Sequence, residues 1–162
     1  MTTTESKISA PFALGRDLVW PVRFAGKLAC DRRSKTIDVC DLWSGIYIAD
    51  FERITAYFTD WRKLEEVLCD ECQLDMPRWF YWCSLYDELS NPQSPHNKFW
   101  PYSLEMAEIF REAGTLAQRR DPEKHIPEVH IEDILVALLA RVDNGVCRKV
   151  AAVGLVKERF HQ

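Results

Sequence analysis

The sequence predicts a mostly helical α+β protein, in which a small antiparallel sheet with helices precedes a separate helical unit. Two patterns lead to this class. Residues 18–49 hold short β-branched and aromatic runs divided by polar residues, whereas most of residues 51–153 carry apolar side chains at helical spacing. Composition agrees, because 47% of the 162 residues are hydrophobic and 28% are charged, as in proteins that fold around a core.

Charge and hydropathy narrow the range of partners. The formal net charge of −4 argues against a general nucleic-acid-binding protein, which usually carries a basic surplus. No apolar run reaches the length of about 18 residues that a membrane span needs. Residues 1–7 lack the apolar region of a signal peptide. We therefore expect a cytoplasmic protein that has no membrane partner and for which a nucleic-acid partner is disfavoured.

The amino-terminal part predicts an arm followed by a sheet. Residues 1–15 mix Thr, Ser, Ala, Pro and Gly and predict a flexible arm. Residues 18–28 and 36–40 favour the two strands of a β-hairpin, with Pro21 placing the first strand at an edge. Residues 45–49 favour a third short strand. Together with the helices that follow, these strands predict a first unit over residues 16–90.

The rest of the chain predicts helices on either side of a proline-rich linker at residues 91–101. The helix after Pro77 is apolar nearly all round, which is typical of a helix buried between layers. Its aromatic residues favour a core interpretation, with a peptide-binding groove as the alternative. After the linker, Ser103 is a natural N-cap. Helices are predicted over residues 51–58, 60–76, 78–89, 103–120, 130–142 and 146–153.

Six cysteines raise the question of a metal site. Cys69 and Cys72 form a CxxC pair that can supply half of a zinc site, with Cys83 and His96 as further ligands. The second pair lacks tight spacing, and Cys69 sits within a helical pattern, so buried structural thiols are the favoured interpretation. A small zinc protein centred on Cys69 and Cys72 stays open as an alternative.

Other chemistry has little support in the sequence. The chain contains no P-loop, no GxGxxG and no GxSxG motif, so we expect no cofactor and no enzymatic activity. Residues 148–162 are similar to the turn of a helix-turn-helix, although the second helix is short and the region lacks a basic surplus. A DNA-binding regulator is therefore the second alternative.

An ordered set of residues near the carboxyl end resembles one repeat of the Clp N domain, the amino-terminal substrate-receptor domain of Clp-type AAA+ unfoldases. The likeness covers residues 102–162, whereas residues 1–100 show no second repeat and no AAA+ module is present. Ile131 and Asp133 replace the family's usual Thr and His. The matching residues are Tyr102, Ser103, Ala113, Ala117, the run 132–139, Asn144, Gly145, Val146 and Gly154.

The resemblance implies a four-helix unit that docks proteins and performs no chemistry. It implies an adaptor, decoy or regulator in Clp-dependent proteolysis, with a Clp ATPase, an adaptor or a substrate polypeptide as partner. In some members the repeat's glutamate helps to bind phosphorylated arginine, and Glu132 is the matching position. A glutamate at the start of a helix also complements the helix dipole. An exposed Glu132 in a groove would favour partner binding, and a Glu132 held in a salt bridge would favour a structural role.

Overall fold

Residues 12–91 and 101–155 are described by the structure, a computed structural model, and within them helices dominate. Two short strands, β1 (Ala13–Leu14) and β2 (Glu128–Val129), pair in parallel, with Ala13 opposite Glu128 and Leu14 opposite Val129. None of the described helices is long and apolar enough to cross a membrane. The helices are α1 (Arg16–Asp31), α2 (Val39–Ala49), α3 (Phe51–Thr55), α4 (Trp61–Cys72), α5 (Arg78–Leu89), α6 (Leu104–Arg120), α7 (Ile131–Leu139) and α8 (Gly145–Ala151).

The predicted antiparallel sheet is wrong, because two of its strands lie in helices and the third, residues 36–40, is split between a loop and the start of α2. In that loop Ile37 makes an isolated bridge with Tyr102, and the bridge is parallel. Residues 18–28 belong to α1, where the buried side chains of Leu18, Phe24 and Ala25 follow a helical stripe. Pro21 removes one backbone donor from α1 without ending it. Residues 45–49 belong to α2, in which nine of eleven residues are buried. A helix buried on nearly all sides shows no amphipathic period, so its apolar run resembles that of a strand.

The later helices agree better with the predictions. The Ser103 hydroxyl caps α6 by accepting the Met106 N–H, which confirms the predicted N-cap. Helix α7 begins as predicted but ends three residues early, at Leu139, and α3 ends at Thr55 instead of residue 58. Residues 1–11, most of the predicted arm, and 92–100, most of the predicted linker, lie outside the described residues.

Helix α5 does not have the burial predicted for it. Only Leu85 and Leu89 of this helix are fully buried, whereas Trp79 is 64% exposed and Phe80 and Tyr86 are exposed as well. The core interpretation of these three aromatic residues is therefore wrong. The core itself is one hydrophobic cluster around Trp43, with side chains from both predicted units.

Two parts of the chain repeat the same local arrangement: the first half, residues 12–72, and the second half, residues 101–155. In each, a long helix leads to an arginine that pairs with an aspartate in the first turn of the next helix. In the first half Arg32 Nε donates to Asp41 Oδ1 at 3.1 Å. In the second half Arg120 Nη1 donates to both carboxylate oxygens of Asp133 at 2.6 Å.

Each of these aspartates also closes a capping box. Asp41 accepts the backbone N–H of Asp38 at 2.9 Å, and Asp133 accepts the backbone N–H of His130 at 2.9 Å. Both aspartates are buried, at 2% and 7% exposure. A buried carboxylate is tolerated where charge-assisted hydrogen bonds satisfy it, so each box fixes the start of its helix.

The two halves are joined by reciprocal backbone hydrogen bonds. The N–H of Gly15, the N-cap of α1, donates to Val129 O at 2.8 Å, just before α7. The N–H of Ser103, the N-cap of α6, donates to Ile37 O at 3.0 Å, just before α2. Each long helix therefore begins against the segment that leads into the other half's capping box. No internal repeat is evident in the sequence. In the structure, however, each half has a long helix, an arginine at its end and a capping-box aspartate in the next helix.

Candidate functional site

Glu132, the residue singled out by the family resemblance, is held by two side chains of the first half. Arg53 Nη2 donates to Glu132 Oε1 at 2.7 Å, and the Tyr57 hydroxyl donates to the same oxygen at 2.9 Å. Arg53 lies in α3 and Tyr57 follows it, so the contact joins α3 to the start of α7. The side chain of Glu132 is 37% exposed. Glu132 is therefore tied into a salt bridge and does not stand open in a groove.

Asp17 extends this contact into a polar network, which we call the Glu132 network. The carboxylate of Asp17 pairs with Arg53 at 3.1 Å and with His130 Nδ1 at 3.2 Å. It also accepts the backbone N–H of Ile131 at 3.1 Å. The network thus links α1, α3 and the first turn of α7 at the place where the halves meet.

The electrostatics of the network favour an ionised glutamate. Burial by itself would raise the pKa of Glu132, but the hydrogen bonds from Arg53 and Tyr57 outweigh it and lower the pKa below its ordinary value. Burial and the bond to Glu132 raise the pKa of the Tyr57 hydroxyl to about 12, so it stays a donor at neutral pH. A guanidinium ligand would have to compete with Arg53 for Oε1. The geometry therefore favours the structural role of Glu132 over ligand binding.

The first half has a cysteine at the position that corresponds to Glu132. Cys40 is the second residue of α2, between the capping-box residues Asp38 and Asp41, as Glu132 lies between His130 and Asp133. Its thiol donates to Glu71 O at 3.5 Å. The equivalent positions therefore carry different chemistry: a carboxylate in an ion pair in one half and a thiol bonded to a backbone carbonyl in the other.

The sequence reasoning did not single out Cys40, because the residue that it contacts, Glu71, lies 31 positions away in the chain. A usable signal was present in the aspartates. Asp41 and Asp133 each stand three residues after an N-cap and open an apolar run, and this spacing is typical of a capping box. Aligning the two aspartates would have placed Cys40 beside Glu132.

The zinc alternative gains no support from the cysteine positions. Cys69 is exposed, and Cys72, its CxxC partner, is only partly buried. Cys83 is exposed on α5, and His96 lies outside the described residues. Within residues 12–91 and 101–155 no group of three or more His, Cys, Asp or Glu side chains is arranged to hold a metal ion.

The DNA-binding alternative depends on residues that the structure describes only in part. Helix α8 ends at Ala151, and its predicted partner helix at residues 156–162 lies outside the described residues. The two basic side chains of α8 have partners within the chain. Arg148 donates to Val142 O at 3.1 Å, and Lys149 pairs with Glu71. Neither contact favours a phosphate-binding surface.

A second candidate site lies beside α5. We call the exposed side chains of Met76, Trp79, Phe80 and Tyr86 the α5 surface; they are between 38% and 64% exposed. At the start of α5 a cleft of about 390 Å³ is lined by residues of α2, α4 and the loop that joins α4 to α5. Arg78 borders this cleft, donates to Tyr47 O at 3.1 Å and stacks over the Phe51 ring.

Comparison of the chain with protein-family models, with curated proteins and with solved structures found no match. Function is therefore inferred from the residues of this chain and from their geometry. Two features carry that inference: the reciprocal arrangement of the halves and the exposed aromatic residues of α5.

Proposed function

We propose that the protein is a non-catalytic, cytoplasmic protein-binding module that acts as an adaptor, decoy or regulator in Clp-dependent proteolysis. The observation that carries the proposal is the pairing of two halves with equivalent capping boxes and reciprocal backbone bonds. The Clp N domain, which residues 102–162 resemble, pairs two helical repeats. A second half that was not evident in the sequence supplies the partner that such a repeat needs.

The α5 surface supports a protein as the partner. Large apolar side chains that cluster on a surface mark interaction sites in soluble proteins. Trp and Tyr are also enriched among the residues that dominate binding energy at interfaces. Trp79 and Phe80 are adjacent, with ring centroids 6.2 Å apart, and the residues just before them in the chain, Met76 to Arg78, line the cleft. A short apolar or aromatic segment of a partner fits this combination.

Glu132 is not the contact that we favour. Its carboxylate already accepts hydrogen bonds from Arg53 and Tyr57 at Oε1, so an arginine-like ligand would compete with Arg53 for that oxygen. We therefore place the partner contact at the α5 surface.

The proposal is tested by pull-down from a cell extract with the full chain as bait. We expect recovery of a Clp ATPase, a Clp adaptor or a Clp substrate, and loss of that recovery with the double variant W79S/F80S. The matched control is C83S, which changes an exposed residue of the same helix. Recovery of no Clp component by the unchanged protein would count against the function. Equal recovery by the double variant would count against the α5 surface as the contact.

A further inference from the structure

The exposed aromatic side chains of the α5 surface lie in an acidic part of the chain. Residues 65–89 hold seven acidic side chains and one basic side chain, Arg78, which gives them a formal charge of −6. Because the whole chain carries −4, all other residues together carry +2. Two of the seven carboxylates are paired within the chain, Glu71 with Lys149 and Glu88 with Lys27. The excess of negative charge that is left limits which partners can cover α5.

Two of the remaining carboxylates line the cleft at the start of α5, and each is held by a tyrosine hydroxyl. The Tyr47 hydroxyl donates to Glu65 Oε2, and the Tyr81 hydroxyl donates to Asp75 Oδ1 at 2.8 Å. The backbone N–H of Asp75 donates back to the Tyr81 oxygen at 3.0 Å, which fixes the loop before α5. A neutral hydroxyl orients a carboxylate without cancelling its charge, and it leaves other acceptor positions of the carboxylate open.

These two carboxylates have no basic partner in the described part of the chain. Neither Glu65 nor Asp75 forms an ion pair there with a lysine or an arginine. Arg78, the one basic residue that lines the cleft, donates instead to Tyr47 O at 3.1 Å and stacks over the Phe51 ring. A guanidinium or ammonium group that enters the cleft therefore meets carboxylate oxygens able to form charge-assisted hydrogen bonds with it.

The same charges argue against a second copy of this chain as the occupant. A two-fold dimer through the α5 surface would place two acidic segments against each other. Like charges that face each other across an interface disfavour the complex. A negatively charged partner would be repelled for the same reason. The occupant of the α5 surface therefore combines apolar side chains with positive charge.

We propose that the α5 surface and the cleft bind a partner segment in which a basic residue stands next to a large apolar residue. The basic group lies in the cleft, where Glu65 and Asp75 accept its hydrogen bonds. The apolar side chain packs on Trp79 and Phe80. Met76 belongs both to the α5 surface and to the lining of the cleft, so the two contacts are side by side. The inference rests on the proposed partner contact at the α5 surface and names the chemistry of the segment that binds there.

The test measures the binding of three fluorescein-labelled peptides to the full chain by fluorescence anisotropy. The peptides alternate leucine with arginine, with glutamine or with glutamate and are otherwise identical. We expect the arginine peptide to bind at least about tenfold more tightly than the glutamine peptide, and the glutamate peptide to show no binding. Raising the salt from about 0.05 M to about 0.5 M should weaken binding of the arginine peptide at least about threefold. Equal affinities for the arginine and glutamine peptides, or no binding of the arginine peptide, would overturn the proposal.

A double variant tests whether the two cleft carboxylates supply the charge. Glu65→Gln combined with Asp75→Asn removes both charges and keeps an oxygen that accepts from each tyrosine. It should weaken the arginine peptide at least about tenfold and leave the glutamine peptide unchanged. The matched control, E112Q/E123Q, removes two exposed charges elsewhere and should bind the arginine peptide within about twofold of the unchanged protein. An equal loss in the control would mean general attraction to an acidic protein and would overturn the site.

A second variant places the apolar contact and separates this inference from the Clp function. W79S/F80S should weaken the arginine and glutamine peptides alike, since both share the leucines. Unchanged binding by this variant would overturn the α5 surface as the site. Binding of the arginine peptide without recovery of any Clp component in the pull-down would count against the Clp function alone. Recovery of a Clp component with equal binding of the arginine and glutamine peptides would count against this inference alone.

Discussion

The two halves of the molecule fix the starts of α2 and α7 with the same kind of capping box and differ in the residues beside that box. Both use a buried aspartate, Asp41 or Asp133, to close a capping box and receive an arginine. The residue before the aspartate is Cys40 in one half and Glu132 in the other. Four residues after the aspartate, α2 has Gly45 where α7 has Ala137. The box is thus the constant part of the arrangement, and the positions around it carry the variation.

The largest loss of stability is expected at Gly45, where α2 packs closely against α1. A Cβ atom at Gly45 would lie 2.3 Å from Pro21 O and 3.1 Å from Ala25 N, and both are backbone atoms that cannot move aside cheaply. Gly45→Ala should therefore lower the free energy of unfolding by about 3 kcal/mol, despite the better helix propensity of alanine. Denaturant unfolding followed by circular dichroism measures this.

The matched variants show whether this close approach belongs to the first half alone. Ala137→Gly should cost about 1–2 kcal/mol, from lost helix propensity and a lost buried methyl group. Gly145→Ala should change stability by less than about 0.5 kcal/mol, because nothing lies within 4 Å of the added Cβ. If Gly45→Ala were as mild as Gly145→Ala, α1 and α2 could not be in such close backbone contact.

The second half could be predicted from the sequence much better than the first, and the reason is physical. Helix α6 is half exposed, so its buried residues, among them Met106, Phe110 and Ala113, recur with the helical period. Helix α2 is buried on nearly all sides and has no such period to detect. Pro21 wrongly favoured a strand, because local propensity disfavours proline inside a helix. Tertiary packing nevertheless tolerates Pro21 within α1.

The site was only partly predictable for a similar reason. Glu132 can be identified from its place in the family pattern, but its partners Arg53 and Tyr57 lie 79 and 75 positions away in the chain. No local pattern indicates such a contact. Cys69 and Cys72 are conspicuous through their spacing, whereas the thiol that bonds to another helix is that of Cys40, which donates to Glu71 O.

The next largest effect should come from removing the aspartate of each capping box. Asp133→Ala should cost about 2 kcal/mol, because it strands the His130 N–H and the Arg120 guanidinium. Asp41→Ala should cost about 1 kcal/mol at pH 7. Burial outweighs the help of Arg32 and raises the pKa of Asp41, so its ionised form is less favourable in the folded state.

Thermal unfolding of both alanine variants at pH 7 measures this difference. Arg119→Ala, an exposed arginine next to Arg120, serves as the control and should leave the melting temperature nearly unchanged. A larger loss of stability for Asp41→Ala than for Asp133→Ala would contradict the expected order of the two variants.

A smaller, pH-dependent effect is expected at Glu132. The folded state lowers the pKa of Glu132, so its ion pair stabilises the protein above the unfolded pKa of about 4.3 and is lost as pH falls through the folded value.

Glu132→Gln should cost about 0.5–1 kcal/mol between pH 5 and 8, a modest figure because the pair is partly exposed. The difference from the unchanged protein should vanish towards pH 3. The control is Glu52→Gln, an exposed glutamate on the same α3 that supplies Arg53, which should leave the stability at pH 7 nearly unchanged. A loss that persisted unchanged at pH 3 would exclude the carboxylate charge as its cause.

The smallest effect on stability, and the most informative one on function, is expected on α5, the helix between the two halves. Trp79 is 64% exposed, so Trp79→Ser should change the free energy of unfolding by less than about 0.5 kcal/mol. Leu85→Ala on the same helix removes a buried side chain and should cost about 2–4 kcal/mol. Trp79→Ser should nevertheless weaken capture of the proposed Clp partner, because an exposed indole contributes little to the fold but much to an interface. If Trp79→Ser cost more than about 1 kcal/mol, the indole would belong to the core of the first half, and the α5 surface would lose its claim to be the partner contact.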